Sequence, residues 1–69
     1  MNKIRVLLNA VKGSNIKVNI IMNSGTIYRY YVAGYIDTNR FLVTRKYEDE
    51  KYDIIDVRYV SRVVVKASY

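Results

Sequence analysis

Asn15-Ile16-Lys17-Val18-Asn19-Ile20-Ile21-Met22-Asn23-Ser24-Gly25 is the stretch on which the architecture turns. Successive side chains of an extended chain point to opposite faces, so Ile16, Val18, Ile20 and Met22 fall on one side and Lys17, Asn19, Ile21 and Asn23 on the other. That alternation predicts a strand over about 15–22. Asn23, Ser24 and Gly25 follow as turn formers, because Asn and Gly tolerate positive φ, and from Thr26 the chain is rich in β-formers again. A hairpin is expected, with its second strand over about 26–36.

Upstream the period changes. Ile4, Leu7, Leu8 and Val11 stand at i, i+3, i+4 and i+7, the spacing of one helical face, with Asn2 placed to cap and Gly13 to stop a helix over about 2–12. Lys3, Arg5 and Lys12 fall away from that stripe with no acid to balance them, so the helix should lay its apolar side on the sheet and show a positive exterior. Downstream, Ala33 and Gly34 interrupt the long second strand where small side chains admit a bulge or a sharp bend. Asp37, Thr38 and Asn39 form the next turn, and 40–47 a third strand with Phe41, Leu42 and Val43 as its apolar members. Glu48, Asp49, Glu50 and Lys51 read as the tip of the following hairpin. A fourth strand is expected over about 52–57, a break near 59–61 and a final strand over about 62–67. Val63, Val64 and Val65 suggest burial on both faces in a last strand, where an edge is normal; a second subunit covering that edge explains them.

The 69 residues make one small domain, 1–69. It is expected to be mainly β, with one N-terminal helix and a five-stranded, strongly bent antiparallel sheet. The chain has no His, Cys, Trp or Pro, which removes thiol nucleophiles, imidazole bases, disulfides and Cys/His zinc sites. No catalytic role, cofactor or metal is expected. A domain this short buries only about 60% of the surface its unfolded chain exposes, so stability must come from closure or association. The apolar runs fall far short of the roughly 20 residues that span a bilayer. No secretory signal is legible, and an intracellular protein is expected.

Twelve Lys and Arg against six Asp and Glu give a net charge of +6. The acids are segregated: outside 48–53 the chain carries 11 basic residues against Asp37 and Asp56 alone. Such asymmetry attracts polyphosphate through counterion release, or serves only solubility. Eight tyrosines are interleaved with the basic residues, as in Tyr28-Arg29-Tyr30-Tyr31, Arg45-Lys46-Tyr47 and Arg58-Tyr59. Aromatic faces stack on any base, as single-strand binders require, but Tyr also stabilises sheets through cross-strand pairs. Tyr30 and Tyr31, being adjacent, must face opposite ways and cannot serve one site. Asn39 beside Arg40 offers a base-edge reader next to a guanidinium, or simply a turn residue. Arg58, Tyr59 and Arg62 offer the same chemistry near the second turn. Asp37 and Asp56 suit a turn cap and an ion pair better than a catalytic or metal pair.

A helix followed by five bent strands resembles the Sm-like, Hfq-like RNA-binding family. Val18-Asn19-Ile20-Ile21-Met22-Asn23-Ser24-Gly25 is similar to that family's first strand and turn, and Gly34-Tyr35-Ile36-Asp37-Thr38-Asn39-Arg40-Phe41-Leu42-Val43 to its Gly-Tyr-Asp-x-x-Met-Asn-Leu-Val-Leu segment. Val60-Ser61-Arg62-Val63-Val64 is similar to the Ile-Ser-Thr-Val-Val that opens its last strand, while Asp56-Val57-Arg58 stands near where the second motif carries Arg-Gly. The resemblance implies an Sm-like, SH3-like small barrel and rings of six or seven subunits in which Val63, Val64 and Val65 pair with a neighbour's fourth strand. It also implies single-stranded RNA, uridine- or adenine-rich, held by Asp37, Asn39, Arg40, Phe41, Arg58, Tyr59 and Arg62, with Lys3, Arg5 and Lys12 as a second basic surface. A different SH3-like or OB-like barrel, binding DNA by backbone charge or acting as a protein-interaction module, has the same strand pattern.

Overall fold

Alternation is realised within Lys17–Met22 (β1), where Val18 and Ile20 are fully buried while Lys17 is exposed and Asn19 half-buried on the other face, but Ile16, expected on the buried face, precedes the strand and is exposed. The computed structural model describes residues 3–65. Asn2 and the expected end of the last strand at 66–67 lie outside them. At the hairpin Gly25 takes φ +92°, its N–H donating to the Met22 carbonyl at 2.9 Å, and Met22 N–H donates to the Thr26 carbonyl. Ile27–Tyr35 (β2) then pairs antiparallel with β1, Val18 opposite Tyr30 and Ile20 opposite Tyr28.

The predicted interruption in β2 is a bulge. Val32 faces Val43 and Gly34 faces Leu42 of Arg40–Thr44 (β3), leaving Ala33 as the extra residue. β3 stops at Thr44, not at 47, because the Thr44 hydroxyl donates to the Lys46 carbonyl at 2.7 Å and Asp49 N–H to the same carbonyl at 3.2 Å, turning the chain back. Asp53–Asp56 (β4) pairs with β3, Phe41 opposite Ile55.

The break after β4 is a 3-10 turn, Val57–Tyr59, begun by the Asp56 carboxylate accepting the Arg58 N–H. The last strand, Val60–Val65 (β5), therefore starts two residues before the expected 62, with a bulge opposite Ile21 and Met22. Its partner is β1. The sheet order is β4-β3-β2-β1-β5, all antiparallel, and it does not close: β4 and β5 are its two outer strands.

The helix Lys3–Val11 (α1) packs mainly on β2 and β5, burying Leu8 and Val11 and setting Ile4 against the core. Leu7 of the expected stripe is exposed. Gly13, at φ +75°, ends the helix and donates to the Val32 carbonyl at 2.8 Å, tying the helix end to β2. The core is Leu8, Val11, Val18, Ile20, Tyr30, Val32, Phe41, Val43, Ile55, Val57 and Val60. Within this chain the valine run is not covered on both sides: Val63 and Val64 are half-buried and Val65 is exposed.

Candidate functional site

Two turns meet at one end of the sheet, and a single backbone hydrogen bond joins them: Val57 N–H donates to the Asn39 carbonyl at 2.7 Å. Each turn is built by an aspartate. Asp37 Oδ1 accepts the N–H groups of Asn39 and Arg40 at 2.9 and 3.0 Å, an Asx turn that sets the β2–β3 connection. Asp56 Oδ1 accepts the N–H of Arg58 at 2.9 Å and starts the 3-10 turn. Asn39 does not use the left-handed region; among the described residues the non-glycine at positive φ is Glu48, at 56°.

The same aspartates hold the arginines in parallel fashion. Arg40 donates through Nε and Nη2 to Asp37 Oδ2 at 2.9 and 2.6 Å. Arg58 donates through Nε to Asp56 Oδ1 at 3.0 Å and through Nη2 to Oδ2 at 2.6 Å. Arg40 stands opposite Asp56 in the β3–β4 register, so the four charges form one cluster. The Arg58 guanidinium, helped by its backbone N–H, holds the Asp56 carboxyl down to about 2. The Arg40 guanidinium, helped by the Asn39 amide, lowers Asp37 as well.

Aromatic faces flank the cluster. Tyr59 is 61% exposed on the second turn and Tyr35 53% exposed beside the first. Asn23 of the β1–β2 turn donates to the Tyr59 carbonyl at 2.8 Å, pinning the 3-10 turn from the other side. Phe41, expected among the surface residues, is 1% exposed; it belongs to the core and supports the Tyr35 ring at 5.9 Å. Arg62 lies away from the cluster, exposed on β5 opposite Ile21, with no hydrogen bond or ion pair to it.

The basic helix approaches from the side. Arg5 and Asn9 line a hollow of about 230 Å³ with Tyr35, Asp37 and Thr38, and Lys12 Nζ lies 4.6 Å from the centroid of the Tyr35 ring. Lys3 is exposed on the same helix. Tyr35 and Thr38 were not foreseen as surface partners. The signal available was the bulge at Ala33, which resets which β2 side chains share a face.

The remaining tyrosines divide between core and sheet surface. Tyr30 is buried, stacks on Tyr28 at 5.6 Å and donates its hydroxyl to Asp53 Oδ2 at 3.0 Å; burial first and that carboxylate second push its phenol up. Tyr31, as its neighbour on the strand, faces the other way and meets Tyr47. Among the described residues no group of His, Cys, Asp and Glu is disposed to hold a metal ion, and no helix is long and apolar enough to cross a membrane. Comparison with protein-family models, with curated proteins and with solved structures returns no match to this chain.

Proposed function

We propose that the chain is an Sm-like protein that binds single-stranded RNA on a homo-oligomeric ring inside the cell, as a non-catalytic chaperone or scaffold. The observation that carries the reading is the joined pair of turns. It brings the Asp37–Arg40 and Asp56–Arg58 pairs together with Asn39 between them and the exposed Tyr35 and Tyr59 alongside in the chain, residue types that unstacked bases need. With each arginine already paired to a carboxylate, stacking and base-edge contacts dominate at the turns. Lys3, Arg5 and Lys12 of α1 add a basic surface that attracts phosphate.

The open sheet supports the ring. Among the described residues β4 and β5 each leave one edge of backbone donors and acceptors without a strand partner, Ile54 exposed on the first and Val64 and Val65 at the second. Pairing β5 of one copy with β4 of the next satisfies both edges at once, a head-to-tail contact that gives a ring when the rotation between copies closes. A second reading, an SH3-like or OB-like barrel on duplex DNA, draws on Lys17, Arg29 and Arg62, exposed basic residues on the outward face of β1, β2 and β5.

Native mass of nuclease-treated protein in high salt, followed by titration with fluorescent oligouridylate, oligoadenylate and duplex DNA, separates the two. The proposal expects about six or seven chains and a single-strand affinity that drops at least tenfold in the double variant Arg58→Ala with Tyr59→Leu. A monomer that prefers the duplex, and loses it on changing Arg29 and Arg62 to Ala, selects the second reading instead.

A further inference from the structure

The connection between β3 and β4 builds a feature that the joined turns do not use. It folds back beside β2 and leaves a pocket of about 310 Å³ lined by Tyr31, Tyr47 and Tyr52 together with Glu48, Asp49 and Glu50. Tyr31 and Tyr47 stand 5.8 Å apart, centroid to centroid, at an interplanar angle of 57°, so two aromatic rings meet as a corner. Tyr47 and Tyr52 are 44% and 55% exposed and reachable from solvent.

The chemistry of this lining selects the sign of what enters. Aromatic faces carry negative quadrupole charge and attract ammonium and guanidinium groups. Lys17 Nζ already sits 5.6 Å from the centroid of the Tyr31 ring, so the chain itself presents a cation to that residue. Asp49 accepts the Lys51 N–H at 3.2 Å, whereas Glu48 and Glu50 make no hydrogen bond or ion pair in the described structure. Three carboxylates repel phosphate, which sets the pocket against nucleotides. The same carboxylates are not disposed to hold a metal ion. The volume lies at the lower end of the roughly 300–1,000 Å³ typical of small-ligand sites, room for one charged head and a short methylene stem.

We propose that this pocket binds an organic cation, an alkylammonium or guanidinium head caged by the tyrosines and neutralised by Glu48 and Glu50. The head is supplied either by a free polyamine or by a Lys or Arg side chain of a peptide. The proposal does not depend on RNA binding or on the ring.

The test is an NMR titration of the full chain with spermidine, with acetyl-Gly-Arg-Gly-amide and with the neutral acetyl-Gly-Gln-Gly-amide. Saturable shifts confined to Tyr31, Tyr47, Tyr52 and the 48–50 backbone are expected with the cations and none with the neutral peptide; the tighter of the two cations identifies the source. Tyr47→Leu is expected to weaken binding about tenfold and Tyr47→Phe, which keeps the ring face, by no more than about twofold. Glu50→Gln, an exposed and isosteric change, provides the same test if Tyr47→Leu disturbs the fold. Non-saturating shifts that also spread over Asp37, Asp53 and Asp56, or undiminished affinity in both Tyr47→Leu and Glu50→Gln, overturn the proposal.

Discussion

A carboxylate gripped by a guanidinium and a backbone amide keeps its charge into acid. Asp56 is such a group, held to about 2 against an ordinary value of 3.8. Because its folded value lies below its unfolded one, its contribution to the 3-10 turn is complete above about 3.8 and fades as the pH falls toward about 2. Carboxyl-detected NMR should therefore place the Asp56 midpoint near 2, with the Arg58 Nε resonance moving in step; a midpoint at the ordinary aspartate value would show that the pair does not form in solution. Phe41 makes a different kind of prediction. Fully buried and in ring contact with Tyr35, it should cost about 3–5 kcal/mol of stability when changed to Ala, read by urea unfolding.

Among the elements, the β1–β2 hairpin has the sharpest requirement. Nothing lies within 4 Å of where a side-chain carbon on Gly25 would sit, so space is not the constraint; the φ of +92° is. Gly25→Ala should thus destabilise by about 1–2 kcal/mol through backbone strain alone, whereas Ser24→Ala, next to it, should change urea stability by less than about 0.5 kcal/mol. This hairpin was legible because its information is local: a period of two, then Asn and Gly. The helix stop at Gly13 and the bulge at Ala33 were legible for the same reason, as was the aspartate-built turn after β2. The early end of β3 was not, because it rests on the Thr44 hydroxyl reaching the Lys46 carbonyl in a stretch that still looks β-rich. Nor was the fate of Phe41, since turn proximity says nothing about which face a residue takes. The candidate site was half legible. Asn39, Arg40, Arg58 and Tyr59 could be named from residue type and Asp37 from the family resemblance, but the bond from Val57 to Asn39 spans distant parts of the chain, and Arg62 was grouped with them by that resemblance and its nearness to the second turn.

For the whole molecule the open sheet is the decisive fact. An 8.1 kDa chain whose outer strands pair with no further strand among the described residues, and which exposes Ile27, Ile36 and Ile54, has apolar surface and hydrogen-bonding capacity left over. Val64→Lys places a charge on the outer strand β5, and the expected outcome is a fall in native mass to that of one chain, with the circular dichroism of the sheet retained. A mass unchanged by that substitution would mean that β5 takes no part in assembly. If the chain assembles and binds RNA as proposed, raising the salt should leave the paired strands intact while weakening RNA binding steeply, since only the second depends on released counterions.

The hydrogen bond that joins the two turns is made by main-chain atoms alone. That bond is indifferent to side chains that take no part in building the turns, so positions 38 and 59 can be randomised in a library while Asp37, Arg40, Asp56 and Arg58, which shape the turns, are kept. Only a residue lacking an N–H, proline at position 57, would cut it. The joined turns are in this sense a socket whose contents can be rewritten while its frame is inherited, which makes this small chain a scaffold for selecting new recognition surfaces.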